Sequence, residues 1–323
     1  MFILDSPSTD PYFNIAAEEY LLKETDGDFT FIYVNDPSII IGKHQNAYAE
    51  INLPYILEKG IPVVRRISGG GTVWHDPGNV IFSFILNGKE GQLVNFREYA
   101  GPVLSYLKNL QIPAEFGSRN EILVEGNKIS GNAEHVYRNR VLHHGTLLFS
   151  SNLNALQASL GTEPGKYRDR AVQSVRSKVV NIRDFLEPKA EVSAFRNDLI
   201  VHLLGFFEDS VRYEFSGTDM AGVRELVSQK YSTWQWNIGY SPRYNMSREI
   251  DWNGNPVQIH LEVEKGKIMK IEIKSDDADR EFFDRLSGML AGVDHEPGEI
   301  RERMSGSGLV NPRLIDYFVK AIF

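Results

Sequence analysis

The chain has 323 residues, 42% hydrophobic and 24% charged, a length that suggests about two domains and a composition that excludes disorder or a collagen-like fibre. It contains no cysteine, which removes disulfides, thiolate metal sites, cysteine nucleophiles and acyl-thioester intermediates. A formal net charge of −8 argues against general nucleic-acid binding, yet Arg138 to Arg183 holds eight Lys and Arg against two Asp and Glu. That island suits a phosphorylated small ligand or an acidic protein partner, or it is the chance scatter of loop charges.

Met1 to Asp5 has neither the basic nor the apolar region of a signal peptide. The longest strongly apolar stretch, Val80 to Leu86, is too short to span a membrane, so a soluble, cytoplasmic protein is expected. Asp10-Pro11 predicts a capped helix start, and Phe13, Ala16, Ala17 and Tyr20 then recur at the spacing of an amphipathic helix. Short β-rich runs follow at Phe29 to Val34, Ser38 to Ile41, Pro62 to Arg66 and Val80 to Leu86. A helix with Pro102 near its first turns is predicted from Phe96 to Leu110. Strands are predicted at Glu121 to Val124, Lys128-Ile129 and Leu142 to Phe149, and a short helix at Leu153 to Leu160.

Beyond Ser241-Pro242 a hairpin is predicted from Val257 to Val263 and Ile268 to Ile273, followed by helices at Arg280 to Leu290, Gly298 to Met304 and Asn311 to Ile322. Helices and strands mix without regular alternation. The expected fold is therefore α+β, with a mixed or antiparallel sheet in residues 1–245 and a smaller α+β domain in residues 246–323. The aromatic run Lys230 to Asn237 reads as packing between the two.

The sequence has no P-loop, no dinucleotide fingerprint, no G-x-S-x-G elbow and no H-E-x-x-H helix. It does have Arg65-Arg66-Ile67-Ser68-Gly69-Gly70-Gly71-Thr72-Val73-Trp74-His75-Asp76-Pro77-Gly78-Asn79. Three glycines free the backbone to approach a ligand, and two arginines add cationic forks, which together describe an anion-binding loop. Lys128 precedes Ile129-Ser130-Gly131-Asn132-Ala133 and reads either as a solvated strand lysine or as a charge stabiliser beside that loop. His143 and His144 are adjacent on a strand and must point to opposite faces, so a packed or ligand-contacting histidine fits better than a metal site.

These blocks together resemble the lipoate–protein ligase A family of the biotin/lipoate ligase superfamily, in its long form with an accessory C-terminal domain. The blocks are Ile41 to Asn46, Arg65 to Asn79, Ser118 to Glu121, Lys128 to Ala133, His143 to Leu148 and Ser174 to Asn181, in one order. The resemblance implies that lipoate and Mg-ATP form enzyme-bound lipoyl-AMP and pyrophosphate, with no tightly bound cofactor and no dedicated metal site. The acyl group then passes to a lysine of a lipoyl domain in a 2-oxoacid dehydrogenase E2 subunit, or of the glycine-cleavage H protein.

By matching position, Lys128 is the catalytic lysine that bridges acyl carboxylate and α-phosphate. Arg66, Gly71, Thr72, Val73 and Trp74 fall on the ATP-binding stretch, and Tyr33, Gly70, Gly71, His75, His144 and Gly145 near the lipoyl group. Where this chain has Asn120-Glu121, Lys43 and Lys178, the family usually has Asn-Asp and two arginines. A ligase mechanism agrees with the lack of cysteine, because adenylation activates a carboxylate without a thioester. The same absence argues against the octanoyl transferases, and the glycine loop differs from that of biotin ligases. A lipoyltransferase fed with preformed lipoyl-adenylate and a non-catalytic lipoate-binding module are the alternatives.

Overall fold

The apolar runs gather into three sheets in the computed structural model, which describes residues 1–88, 94–161, 165–188, 190–275 and 279–323. The largest sheet has eight strands in the order Val211–Tyr213, Phe2–Asp5, Phe29–Tyr33, Asn79–Asn87, Arg140–Leu148, Asn127–Tyr137, Glu121–Val124, Ala114–Phe116. Phe2–Asp5 pairs in parallel with both neighbours and the remaining pairs are antiparallel, so the sheet is mixed. A three-stranded sheet places Ser38–Ile41 between Val63–Arg65 and Val73–His75. The third sheet is antiparallel, in the order Tyr167–Asp169, Tyr244–Trp252, Asn255–Glu264, Lys267–Lys274.

The chain divides into two compact units. One comprises Met1–Lys43, Gly60–Ala158 and Ser174–Thr233, and the other His44–Lys59, Ser159–Gln173 and Trp234–Phe323. The second unit thus reaches back into the part of the chain that a single cut near Met246 leaves in the first. Strand pairing is the cause, because Tyr167–Asp169 is hydrogen-bonded to Tyr244–Trp252. Tyr48 also donates to the His295 carbonyl at 2.9 Å and packs edge-on against Phe323.

The helix Pro11–Glu24 begins as its sequence predicts, with the Asp10 carboxylate accepting from the Tyr12 N–H at 2.9 Å. Its burial departs from the amphipathic expectation. Asn14, Glu18 and Glu19 are as buried as the apolar stripe, and each finds polar partners in the interior. The stretch from Phe96 forms two helices, Phe96–Tyr99 and Gly101–Asn109, with Pro102 in the first turn of the second. The core of the first unit lies between the large sheet and the helices Gly101–Asn109 and Val192–Phe206, around Phe82, Phe84, Phe149 and Phe195. None of the described helices is long and apolar enough to cross a membrane.

Candidate active site

The chain must reverse direction between Arg65 and Val73, because Val63–Arg65 runs parallel and Val73–His75 antiparallel to Ser38–Ile41. The glycines make that reversal. Gly70 has φ 84°, and a Cβ on Gly42 would lie 2.1 Å from the Gly70 carbonyl oxygen. Arg66 fastens the loop from inside. Its Nη2 donates to the Gly69 and Gly71 carbonyls at 2.6 and 2.8 Å, its Nη1 to the Ile40 carbonyl at 3.1 Å, and its Nε to Ser68 Oγ at 3.0 Å. Four of its five N–H groups are therefore committed to the protein, so the fork read from sequence as a ligand clamp is largely turned inward. Burial draws the Arg66 pKa down to about 10, against the opposing influence of Glu18 and Tyr33. Arg65 is likewise internal, donating to the Gly42 and Lys43 carbonyls at 2.9 and 3.1 Å.

Behind the loop, three polar side chains converge on Glu18. The Tyr33 hydroxyl donates at 2.9 Å, the Ser83 hydroxyl at 2.5 Å, and His144 Nδ1 lies 2.8 Å from Oε2. His144 Nε2 is 2.6 Å from Ser68 Oγ, which joins this group to Arg66. Burial, with the Glu18 charge, holds the Tyr33 hydroxyl well above its ordinary range, so Tyr33 remains a donor. The Asn14 amide donates to Asn35 Oδ1 at 2.7 Å and thereby turns the Asn35 amide N–H toward His75 Nδ1, 2.9 Å away. His75 then keeps its proton on Nε2. Burial, followed by the charges of Arg66 and His144, pulls its pKa down to about 3, so the ring is neutral near pH 7.

Lys128 stands at the head of the strand Asn127–Tyr137 and is bridged on its backbone to Lys178 and Val180. Its Nζ lies over Gly131, where an added Cβ would come within 3.0 Å of it. Burial lowers the ammonium pKa, with Glu121 opposing and Arg119 and Arg66 reinforcing the shift. The facing Glu121 is buried, and its Oε2 has no hydrogen-bond partner. Asn132 donates to the Asn120 carbonyl at 2.8 Å and so ties the Asn120-Glu121 corner to the lysine strand. Gly145 pairs with Asn132 and Phe82 and admits no side chain, since a Cβ would fall 2.3 Å from Asn132 Oδ1 and 2.4 Å from Phe82 Cζ.

The structure thus joins Tyr33, Arg66 and His144 through Glu18 and Ser68 into one hydrogen-bonded network. Gly70 lies against Arg66 Nη2, His75 belongs to the separate Asn14–Asn35 group within the electrostatic reach of Arg66 and His144, and Lys128 is within the reach of Arg66. Gly71 and Thr72 sit against Ser174, whose Oγ accepts the Thr72 N–H at 2.8 Å. Strand alternation separates Trp74 from Val73 and His75. The Trp74 indole is buried and donates to Asp76 at 2.9 Å, and its carbonyl accepts from Asn79 Nδ2 at 2.8 Å. His143 faces away from His144, pairs with Glu134 at 2.9 Å and packs among Phe82, Phe84, Phe96 and Tyr99. Among the described residues no three His, Asp or Glu gather as a metal site. Sequence reasoning missed Glu18, Ser68, Ser83 and Asn35. The signal available for Glu18 was an adjacent acidic pair, Glu18-Glu19, set within the apolar run Ile15 to Leu22.

A mixed sheet carrying a glycine loop, a partly desolvated ammonium and a buried polar network defines a site suited to an anionic ligand. Residues 10–204 match the lipoyl protein ligase A/B catalytic domain, and residues 241–311 the bacterial lipoate protein ligase C-terminus. The chain belongs to the lipoyl protein ligase A/B family. It is 36% identical to the lipoate-protein ligase LplJ of Bacillus subtilis, covering 96% of this chain and 95% of that one. It is 38% identical to lipoate–protein ligase 1 of Staphylococcus aureus, covering 94% and 93%. Among solved structures, Plasmodium falciparum LipL1 in complex with lipoate aligns with a TM-score of 0.64 at 25% identity, covering 99% of this chain and 98% of that one. A bipartite lipoate protein ligase from Thermoplasma acidophilum, studied with its E2 lipoyl domain, gives 0.64 at 26%, covering 74% and 96%. A lipoate-protein ligase A bound with ATP gives 0.61 at 27%, covering 74% and 98%.

Proposed function

We propose that this protein is an ATP-dependent lipoate–protein ligase acting in the cytoplasm. A lipoate carboxylate oxygen attacks the α-phosphorus of ATP, pyrophosphate leaves, and an acyl phosphate anhydride remains bound. The amine of an acceptor lysine then attacks the acyl carbon, an amide forms, and AMP leaves with the bonding electron pair. The acceptors are lipoyl domains of 2-oxoacid dehydrogenase E2 subunits and the glycine-cleavage H protein. The observation that carries the reading is the placing of Lys128 against Gly131, in the field of Arg66 and the glycine loop.

In this reading Lys128 neutralises the charge that gathers between carboxylate and α-phosphate. The backbone of Gly71 to Trp74 lines the nucleotide, and Arg66 acts mainly by holding the loop in shape. Tyr33, Gly70, His75, His144 and Gly145 border the lipoyl tail, with His75 a neutral donor rather than a charge. Magnesium arrives with the nucleotide. Glu121, with a buried and unpartnered oxygen beside Lys128, is the carboxylate fitted to it, since magnesium is held by one or two carboxylates plus phosphates. The segment from about Met246 serves as an accessory domain.

Incubation with ATP, magnesium, lipoate and an isolated lipoyl domain is expected to add one lipoyl group to that domain by intact mass. Modification only from synthetic lipoyl-adenylate would favour the transferase reading, and none from either donor the non-catalytic one.

A further inference from the structure

We propose that Glu18 is a positioning residue, whose buried carboxylate fixes the tautomer of His144 and, through Ser68, the orientation of Arg66 and the glycine loop. The inference rests on the ligase reading for its kinetic consequence but not for its structural one. Glu18 is 1% exposed, on a helix whose remaining packing is largely apolar. A buried carboxylate is costly unless donors surround it, and here three do.

In the proposed relay Tyr33 and Ser83 donate to Oε1 and His144 Nδ1 donates to Oε2. The same relay leaves His144 Nε2 bare, and the Ser68 hydroxyl donates to it across 2.6 Å. Ser68 Oγ is left free to accept the Arg66 Nε–H at 3.0 Å. The remaining Arg66 donors hold the Gly69 and Gly71 carbonyls, so the protonation pattern set at Glu18 ends at the loop backbone.

Ser68, His144 and Glu18 also have the spacing of a serine nucleophile with its base and orienting acid. Two observations favour a relay instead. Ser68 is fully buried, and Arg66 already occupies a lone pair of its Oγ.

Glu18→Gln breaks the pattern at its source. The amide can direct its NH2 at His144 Nδ1, which then accepts, and the imidazole proton moves to Nε2. Ser68 Oγ then accepts from both His144 and Arg66, and its own buried hydroxyl proton loses its acceptor and must turn elsewhere, disturbing the bond to Arg66. The first measurement is made on the unmutated protein with nitrogen-15 histidine NMR and needs no substrate. His144 is expected to show protonated Nδ1 and bare Nε2. The opposite tautomer would overturn the proposal, as would an acyl ester on Ser68 trapped by mass spectrometry.

The second measurement is lipoate-dependent exchange of pyrophosphate into ATP. Glu18→Gln and Ser68→Ala are each expected to slow it by about 10²-fold, the scale on which a small misplacement of a reacting group acts. The double variant is expected to be no slower than either single one, because the same relay is already cut. Multiplying effects would contradict the relay. Absence of exchange in the unmutated protein would refute the ligase reading, while the tautomer would still decide the role of Glu18.

Discussion

In the proposed reaction Lys128 is the residue on which the chemistry turns, and its neighbours make the outcome of replacing it specific. Lys128→Ala removes a compact charge without opening the core. Adenylate formation is expected to fall by 10²–10³-fold, roughly the cost of losing one preorganised stabilising donor, with circular dichroism unchanged. Lys128→Arg is expected to recover little, because the ammonium lies against Gly131 and a planar fork needs more room. The buried histidines carry a pH signature. His75 and His295 have pKa values lowered by burial to about 3 and about 4, below the ordinary 6.5. At pH 5 the unfolded chain protonates both and the native chain neither, so this stability is present above pH 6.5 and lost as the pH falls toward those values. Calorimetry is expected to show about one proton taken up by each on unfolding at pH 5, and His75→Gln is expected to remove its share. Part of this was legible in the sequence, since alternation alone sends His143 and His144 to opposite faces. The partners of His144 were not, because Glu18 and Ser68 lie 126 and 76 residues away and meet it only through the sheet.

At the scale of elements, the glycine loop is shaped by two close approaches that differ in tolerance. A Cβ on Gly42 would strike the Gly70 backbone oxygen at 2.1 Å, whereas one on Gly71 would first meet the Ser174 hydroxyl at 3.0 Å. Backbone cannot give way as a hydroxyl can. Gly42→Ala is therefore expected to abolish lipoate binding measured by calorimetric titration, and Gly71→Ala to weaken it only modestly. Equal losses would show that the loop is not held by the Gly42 approach. The loop and its flanking strands were readable because glycine and β-branched residues mark turn and strand directly. The lysine strand was read as two residues and in fact runs from Asn127 to Tyr137. Asn132 and Glu134 interrupt its apolar pattern because they bond to the Asn120 carbonyl and to His143 rather than pack. Tyr244–Trp252 escaped for a related reason, its Asn, Ser, Arg and Glu masking an alternating inward face. The basic island was partly misleading, since Arg140 is buried and caps the helix Pro11–Glu24 through the Leu21 and Leu22 carbonyls at 2.8 and 2.9 Å.

At the scale of the molecule, the C-terminal segment does not form a separable tail. A chain ending at residue 245 takes Met246 from Tyr167, removes the strand Asn255–Glu264 that holds Tyr244–Trp252 in the sheet, and removes His295 and Phe323 from Tyr48. Such a truncation is expected to melt lower and to exchange amide hydrogens faster across residues 44–59 and 165–173. Unchanged exchange there would show that those segments hold their structure unaided. A linear boundary was all the sequence could offer, because strands whose paired residues lie 75 to 79 positions apart leave no local mark. The central claim concerns what the assembled molecule does with a carboxylate, and it is tested by pyrophosphate release from ATP with lipoate present and no acceptor protein. Release that requires lipoate and is not matched by biotin is the predicted result. No release, or equal release with biotin, would contradict it.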